Sequence, residues 1–146
     1  MPFSPDRPLI RAAARAYWQR FLDEVEFDDP EQPRPRHGGH NWVRIVLPSP
    51  ARWLGAYHYK DRVGVYLLGE SDSPLFDFLD VEIDAIREET GLDIRFDRDT
   101  RRFGLQRVRA DFGDDDAQLA WLCDVANRLV TALRPRLRAM NDGVIE

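Results

Sequence analysis

Apolar residues recur at three- and four-residue steps near the start of the chain, at alternate positions through its middle, and then at both spacings again in turn. A stripe of period 3.6 is buried by a helix and a stripe of period 2 by a strand, so this alternation sets the order of elements. Ile10, Ala14, Tyr17, Trp18, Phe21, Leu22 and Val25 form the first helical stripe. They predict a helix over roughly residues 6–26, with Ser4 or Asp6 as cap, each followed by a proline suited to a first turn. The acidic, proline-rich stretch of Asp28, Asp29, Pro30, Glu31, Pro33 and Pro35, with Gly38 and Gly39 behind it, predicts a loop without regular structure.

Trp42, Arg44 and Val46 then alternate with Val43, Ile45 and Leu47, which predicts a strand closed by Pro48 and Pro50. Two further strands, from about Arg52 to Tyr59 and from Val63 to Leu68, are separated by Lys60, Asp61 and Arg62, a length that suits a tight hairpin. Ser71, Asp72, Ser73 and Pro74 supply capping and first-turn residues for a second helix through Leu75, Leu79, Ile83 and Ile86, which Gly91 is placed to end. Leu92, Ile94 and Phe96, a polar turn from Arg98 to Arg101, and Phe103 with Leu105 predict a second hairpin. Asp114, Asp115 and Asp116 open a last helix through Leu119, Leu122, Ala126, Leu129, Leu133 and Leu137, in which Pro135 is expected to make a kink or an interruption. The order α-β-β-β-α-β-β-α is that of an α+β fold, a mainly antiparallel sheet of about five strands covered by helices. With 146 residues, no internal repeat and no dividing linker, residues 1–146 are expected to form a single domain around one core.

Composition narrows the functional classes. The chain is 43% hydrophobic and 32% charged, which places it among globular rather than disordered sequences. No apolar run reaches the roughly 18–20 residues of a membrane span, Met1 to Arg15 lacks the build of a signal peptide, and a single cysteine, Cys123, fits a reduced compartment. A cytoplasmic location without membrane contact is therefore expected, with Cys123 as core packing. The net charge of −5 argues against a surface that is basic all over, while leaving room for a local basic stripe.

No motif for catalysis stands in the chain. His37, His40 and His58 have neither the helical i, i+4 spacing nor the Cys/His pattern of a zinc site, and His37 with His40 read best as loop residues. There is no nucleophile elbow and no glycine-rich phosphate loop. A metal-dependent nuclease would need carboxylates beside a lysine, and Lys60 with Asp61 and Glu70 is the one such grouping; solvated hairpin and turn charges are the preferred reading of it, and a nuclease stands third among the functional readings. Asp77, Asp80 and Asp84 recur at helical spacing and read as solvent-facing charge. No cofactor is expected, and an enzymatic role is the less favoured reading.

What remains is a run in which Trp42, Trp53, Tyr57, Tyr59 and Tyr66 are interleaved with Arg44, Arg52, Lys60 and Arg62. Rings that contact bases among cations that neutralise phosphates are the make-up of a nucleic-acid surface, although strand packing also favours Tyr and Trp. The candidate site residues are Arg44, Arg52, Trp53, Tyr57, Tyr59, Lys60 and Arg62. Further arginines fall in two groups, Arg101, Arg102, Arg107 and Arg109 on the later hairpin, and Arg134, Arg136 and Arg138 near the end of the last helix, where the dipole favours cations.

The wording of residues 17–138 resembles a bacterial family of domains of unknown function, the family numbered 4268. The residues that carry it are Tyr17-Trp18 with Phe21-Leu22, Trp42, Arg62 to Leu67, Phe76 to Leu79, Ile86 to Leu92, and Leu133 to Leu137. The resemblance implies a domain often attached to, or encoded near, restriction-like nucleases and bacterial defence genes. Residues and resemblance together give a leading expectation, a non-catalytic recognition or accessory module that contacts nucleic acid through the hairpin around residues 52–66. The alternative is a protein-interaction subunit, a homodimer or the partner of a nuclease or other defence protein, motivated by the long apolar stripe of the last helix.

Overall fold

In a computed structural model, the structure describes residues 7–39, 41–70 and 73–142, and the side chains of all of these except residues 7–10. Ser4, Asp6, His40, Ser71 and Asp72 lie outside the described residues. Helix α1 spans Arg7–Glu24, strand β1 Arg36–His37, β2 Trp42–Val46, β3 Ala51–His58, β4 Arg62–Gly69, helix α2 Leu75–Thr90, β5 Arg95–Asp97, β6 Arg102–Val108 and helix α3 Asp115–Asn141. A short 3₁₀ turn, Arg109–Asp111, joins β6 to α3. The strands form one antiparallel sheet in the order β1-β2-β3-β4-β6-β5. The α+β architecture expected from the sequence is therefore the one observed.

Alternation decides which side of the sheet each residue serves. Val43 and Ile45 of β2, Leu54 and Ala56 of β3, Val63, Val65 and Leu67 of β4, and Phe103 and Leu105 of β6 are buried and share one core. The same core takes Trp18 and Phe21 from α1, Leu75, Leu79 and Ile86 from α2, and Leu119, Leu122, Ala126, Leu129, Leu133 and Leu137 from α3. All three helices thus lie on one face. The apolar stripe of α3 is buried within this chain, against the sheet, α1 and α2, so it supplies no argument for a second subunit.

Four local outcomes differ from the sequence reading. First, the proline-rich segment contributes a two-residue edge strand, β1, because Pro33 and Pro35 extend the backbone beside β2. Second, the segment before it is docked: Asp29 receives Arg134 at 3.5 Å and Arg138 at 3.1 Å, and Gln32 accepts from Arg134 at 2.9 Å while donating to the Val46 carbonyl at 2.8 Å. The Glu31 amide, with both guanidinium groups, holds the Asp29 carboxyl below its ordinary range. Third, the N-cap position of α2 is Pro74, which brings no side-chain bond, and Ser73 serves the first turn from one residue earlier: its hydroxyl accepts from the Leu75 amide at 3.4 Å and donates to the Glu70 carbonyl at 2.8 Å. Gly91 ends this helix as expected, left-handed at φ 70° and bonded back to Arg87. Fourth, α3 runs through Pro135 without a break. Pro135 and Thr131, whose carbonyl loses its amide partner, are both exposed, so water can take the bond that proline removes.

The β4–β6 contact leaves no room for a side chain at Gly104, where a Cβ would overlap the carbonyl oxygen of Val65 and meet Tyr66 at 2.7 Å. Because the obstacle includes backbone, Gly104→Ala should push the two strands apart and lower stability by roughly 1–3 kcal/mol or more. Gly113→Ala, with nothing within 4 Å, should stay within about 0.5 kcal/mol of the parent. Urea unfolding of the two variants checks the contrast.

Candidate functional site

The helix-free face of the sheet collects the residues that alternate outward. Register places them in rows: Val46, Trp53 and Leu68; Arg36, Arg44, Gly55, Tyr66, Gly104 and Arg95; Trp42, Tyr57, Gly64 and Gln106. Tyr59 and Arg62 close the far end, where the Tyr59 amide donates to the Arg62 carbonyl at 2.8 Å.

Glycine is what lets the rings lie down. A Cβ at Gly55 would stand 2.6 Å from the Tyr57 ring, one at Gly64 2.9 Å from the Tyr66 ring, and one at Gly38 2.5 Å from the Trp42 indole. Each aromatic therefore crosses the backbone of a glycine on its own side of the sheet. Trp42 and Tyr57 are near-parallel with centroids 5.7 Å apart, Tyr57 and Tyr59 likewise at 6.0 Å, and Trp53 tilts against Trp42 at 6.0 Å. Tyr66 leans toward Tyr57 at 6.5 Å and donates its hydroxyl proton to Gln106 Oε1 at 2.9 Å. Burial among these neighbours raises the phenol pKa values of Tyr57 and Tyr66 above their ordinary value, so both stay neutral at physiological pH.

Cations cover the rings. The Arg44 guanidinium lies 4.3 Å from the Trp53 ring and 5.4 Å from that of Trp42, Arg62 5.4 Å from Tyr59, and Arg102 5.6 Å from Tyr66. Such contacts orient a guanidinium without neutralising it. Arg36 stands directly opposite Arg44 on the same face, a like-charged cross-strand pair that weakens a sheet unless an anion is supplied. Among the described residues neither has a carboxylate within 4 Å, and the same holds for Arg52, Arg62 and Arg102. Among the described residues, Arg44 Nε and Trp53 Nε1 are buried without an acceptor.

Of the residues singled out from sequence, Arg44, Trp53, Tyr57, Tyr59 and Arg62 come together on this face. Arg52 is the extra residue of a β-bulge between Ala51 and Trp53 and stays exposed at its margin. Lys60 belongs to the hairpin tip, where its carbonyl accepts from Arg109 at 3.2 Å. Trp42 and Tyr66 complete the surface, and sequence reasoning missed Arg36 and Arg102 as members of it. The repeated Gly-x-Tyr of Gly55 with Tyr57 and Gly64 with Tyr66 is the signal that marks the face, since two residues apart on a strand means the same side.

The other charge groups have internal uses. Arg107 stacks on Phe112 at 4.4 Å on the helix side of the sheet, and Arg136 pairs with Glu89 at 2.8 Å. Arg98 joins α2 through Asp77 and Asp80, and Asp84 pairs with Arg87 at 3.1 Å. Asp61 and Glu70 flank opposite ends of β4, roughly 25 Å apart for an eight-residue strand, too far to share one ion with Lys60. His37 is held by Gln19 at 3.1 Å and kept below its ordinary pKa by burial. Among the described residues no group of three or more metal-ligating side chains converges, and no helix is long and apolar enough to cross a membrane.

No family model matches the chain, and neither a curated protein nor a solved structure matches it.

Cys123 is half-buried beside α1, and burial pushes its thiol up to about 11. A raised thiol pKa leaves less thiolate at a given pH, roughly 100-fold less at pH 8 than an ordinary cysteine holds. Modification by a disulfide reagent at pH 8 should therefore be slower by about tenfold or more in the folded chain than in urea, since a thiolate of higher pKa is also the stronger nucleophile. Equal rates would show that Cys123 is a reactive thiol after all.

Proposed function

We propose that the protein binds single-stranded nucleic acid across the helix-free face of its sheet, as a recognition module without catalysis of its own. The observation that carries this is the cross-strand pair of Arg36 and Arg44, unneutralised among the described residues and set beside near-parallel aromatic rings. A polymer with a phosphate and a flat base at every repeat supplies what both features lack, an anion for the guanidinium groups and a ring for the rings. The face concentrates positive charge on a chain whose net charge is −5, because the carboxylates lie mainly on the helices and loops. Supporting the same reading, the guanidinium groups of Arg44, Arg62 and Arg102 lie over indole or phenol rings, contacts that leave their charge in place. The family resemblance adds a setting, an accessory role beside a nuclease or another defence protein.

Binding of a labelled single strand, followed by fluorescence anisotropy, should weaken with salt. Each phosphate contact adds about −0.7 to the slope of log K against log salt, so Arg36→Ala with Arg102→Ala should flatten that slope by about 1.4. Tyr57→Ala should weaken binding by about 1–3 kcal/mol at any salt. Salt-independent binding, or none at 50 mM salt (on the order of the low-salt regime for such contacts), would rule the platform out. Gly55→Ala gives an independent check: it forces the far end of Tyr57 aside at little expense in stability and should still reduce affinity.

A further inference from the structure

Beyond the hairpin tip, where β3 turns into β4, the sheet ends in a recess of about 640 Å³ between α1, the hairpin and the first turn of α3. Tyr59 belongs to both places: it continues the ring series from Tyr57 and it lines the recess. The recess lies on the helix side of the sheet, so the series of Trp53, Trp42, Tyr57 and Tyr59 reaches it round the hairpin tip, through Tyr59. Ala13 and Ala14 of α1 form one wall, and their small size is what keeps the cavity open.

The groups that face it are available. Tyr17 accepts a hydrogen bond from Gln118 Nε2 at 2.8 Å, which leaves the phenol proton to be donated. Among the described residues the Asn41 carboxamide and the Lys60 ammonium have no side-chain partner, while the His58 ring packs against Tyr17 at 5.0 Å and Trp18 at 6.3 Å. Burial and nearby Arg109 keep His58 below its ordinary pKa, although a hydrogen bond to its own backbone works the other way, so His58 serves as wall and the Asn41 carboxamide offers the free donor and acceptor. Arg109, by contrast, is committed to the frame. It donates to Gln118 Oε1 at 3.2 Å and to the carbonyls of Tyr59 and Lys60, and its far nitrogen lies 3.9 Å from Asp115. These bonds fix the hairpin tip to α3 and with it the floor of the recess.

Aromatic walls, a donor-acceptor pair, one free ammonium and one carboxylate make a site for a nucleotide, with the base against Tyr17 and Tyr59, phosphate toward Lys60 and a sugar hydroxyl toward Asp115. The volume falls within the range of small-molecule sites. We propose that the recess receives the terminal nucleotide of the bound strand, so that the protein reads strand ends rather than strand interiors. This rests on the platform reading and adds a direction to it: a strand crossing the rings turns over the hairpin tip at Tyr59 and ends in the recess.

The test compares a single-stranded DNA circle with the same DNA opened by one cut, each titrated with the full chain. The opened strand should bind about tenfold more tightly, the contribution of one further stacked nucleotide. Ala14→Leu fills the recess from an exposed part of α1 and should bring the opened strand to the affinity of the circle, whose own binding stays unchanged. Equal affinities for circle and opened strand in the parent would overturn the inference while leaving the platform in place. Equal affinities together with binding of a nucleoside monophosphate that Ala14→Leu abolishes would assign the recess to free nucleotide, and equally overturn it. Binding of neither DNA form at low salt would overturn both readings.

Discussion

A sheet that packs all its helices on one side has to meet water with the other, and that one-sidedness governs the rest of this structure. Long side chains standing upright on the bare face would expose their full length. Here the rings fold down instead, because glycines at positions 38, 55 and 64 leave the backbone beneath them bare. The Tyr57 and Tyr66 phenols are buried enough to be shifted in pKa, yet they remain on the outside of the sheet. The face is dry at its base and aromatic at its surface, a combination that polar side chains alone would not give.

Charge is arranged to match. Acidic side chains on helices and loops answer particular arginines: Asp29 holds Arg134 and Arg138 near the end of α3, and Glu89 holds Arg136. Those arginines brace the fold. Arg36, Arg44 and Arg62 are held by register or by ring faces instead, and Arg102 lies over Tyr66 and opposite Asp97 in register, none of the four with a carboxylate within 4 Å among the described residues. Two guanidinium groups opposite one another on adjacent strands oppose the pairing that brings them together, and the arrangement makes physical sense once an anion lies across them.

Much of this was legible in the sequence because period decides face. The alternation of Trp42, Arg44 and Val46 with Val43, Ile45 and Leu47 places the first three on one side by period alone. Gly91 and Asp114 acted as the local rules require, the first ending α2 and the second capping α3 through the Ala117 amide. What escaped was long-range. Arg36 sits in a segment whose prolines read as loop, and only pairing with β2 turns it outward beside Arg44. Arg102 comes from a hairpin about forty positions after Tyr59, and its place over Tyr66 follows from β6 pairing with β4 rather than from any local pattern. Lys60 and Arg52 were legible as exposed cations, but whether a bulge or a turn carries such a residue off the face is settled by register, which period leaves open.

The spacing of the rings carries a mechanical consequence. Neighbouring rings stand 5.7–6.0 Å apart. Bases stacked within a helical strand rise by about 3.4 Å each. A chain matched to the rings one for one must therefore be drawn out to nearly twice its resting rise, its bases parted and each left with a ring of protein in place of a neighbour. Flexible strands accept that stretch readily, while those held rigid by their own stacking resist it. The sheet would then sort polymers by how easily they come unstacked before any base is read.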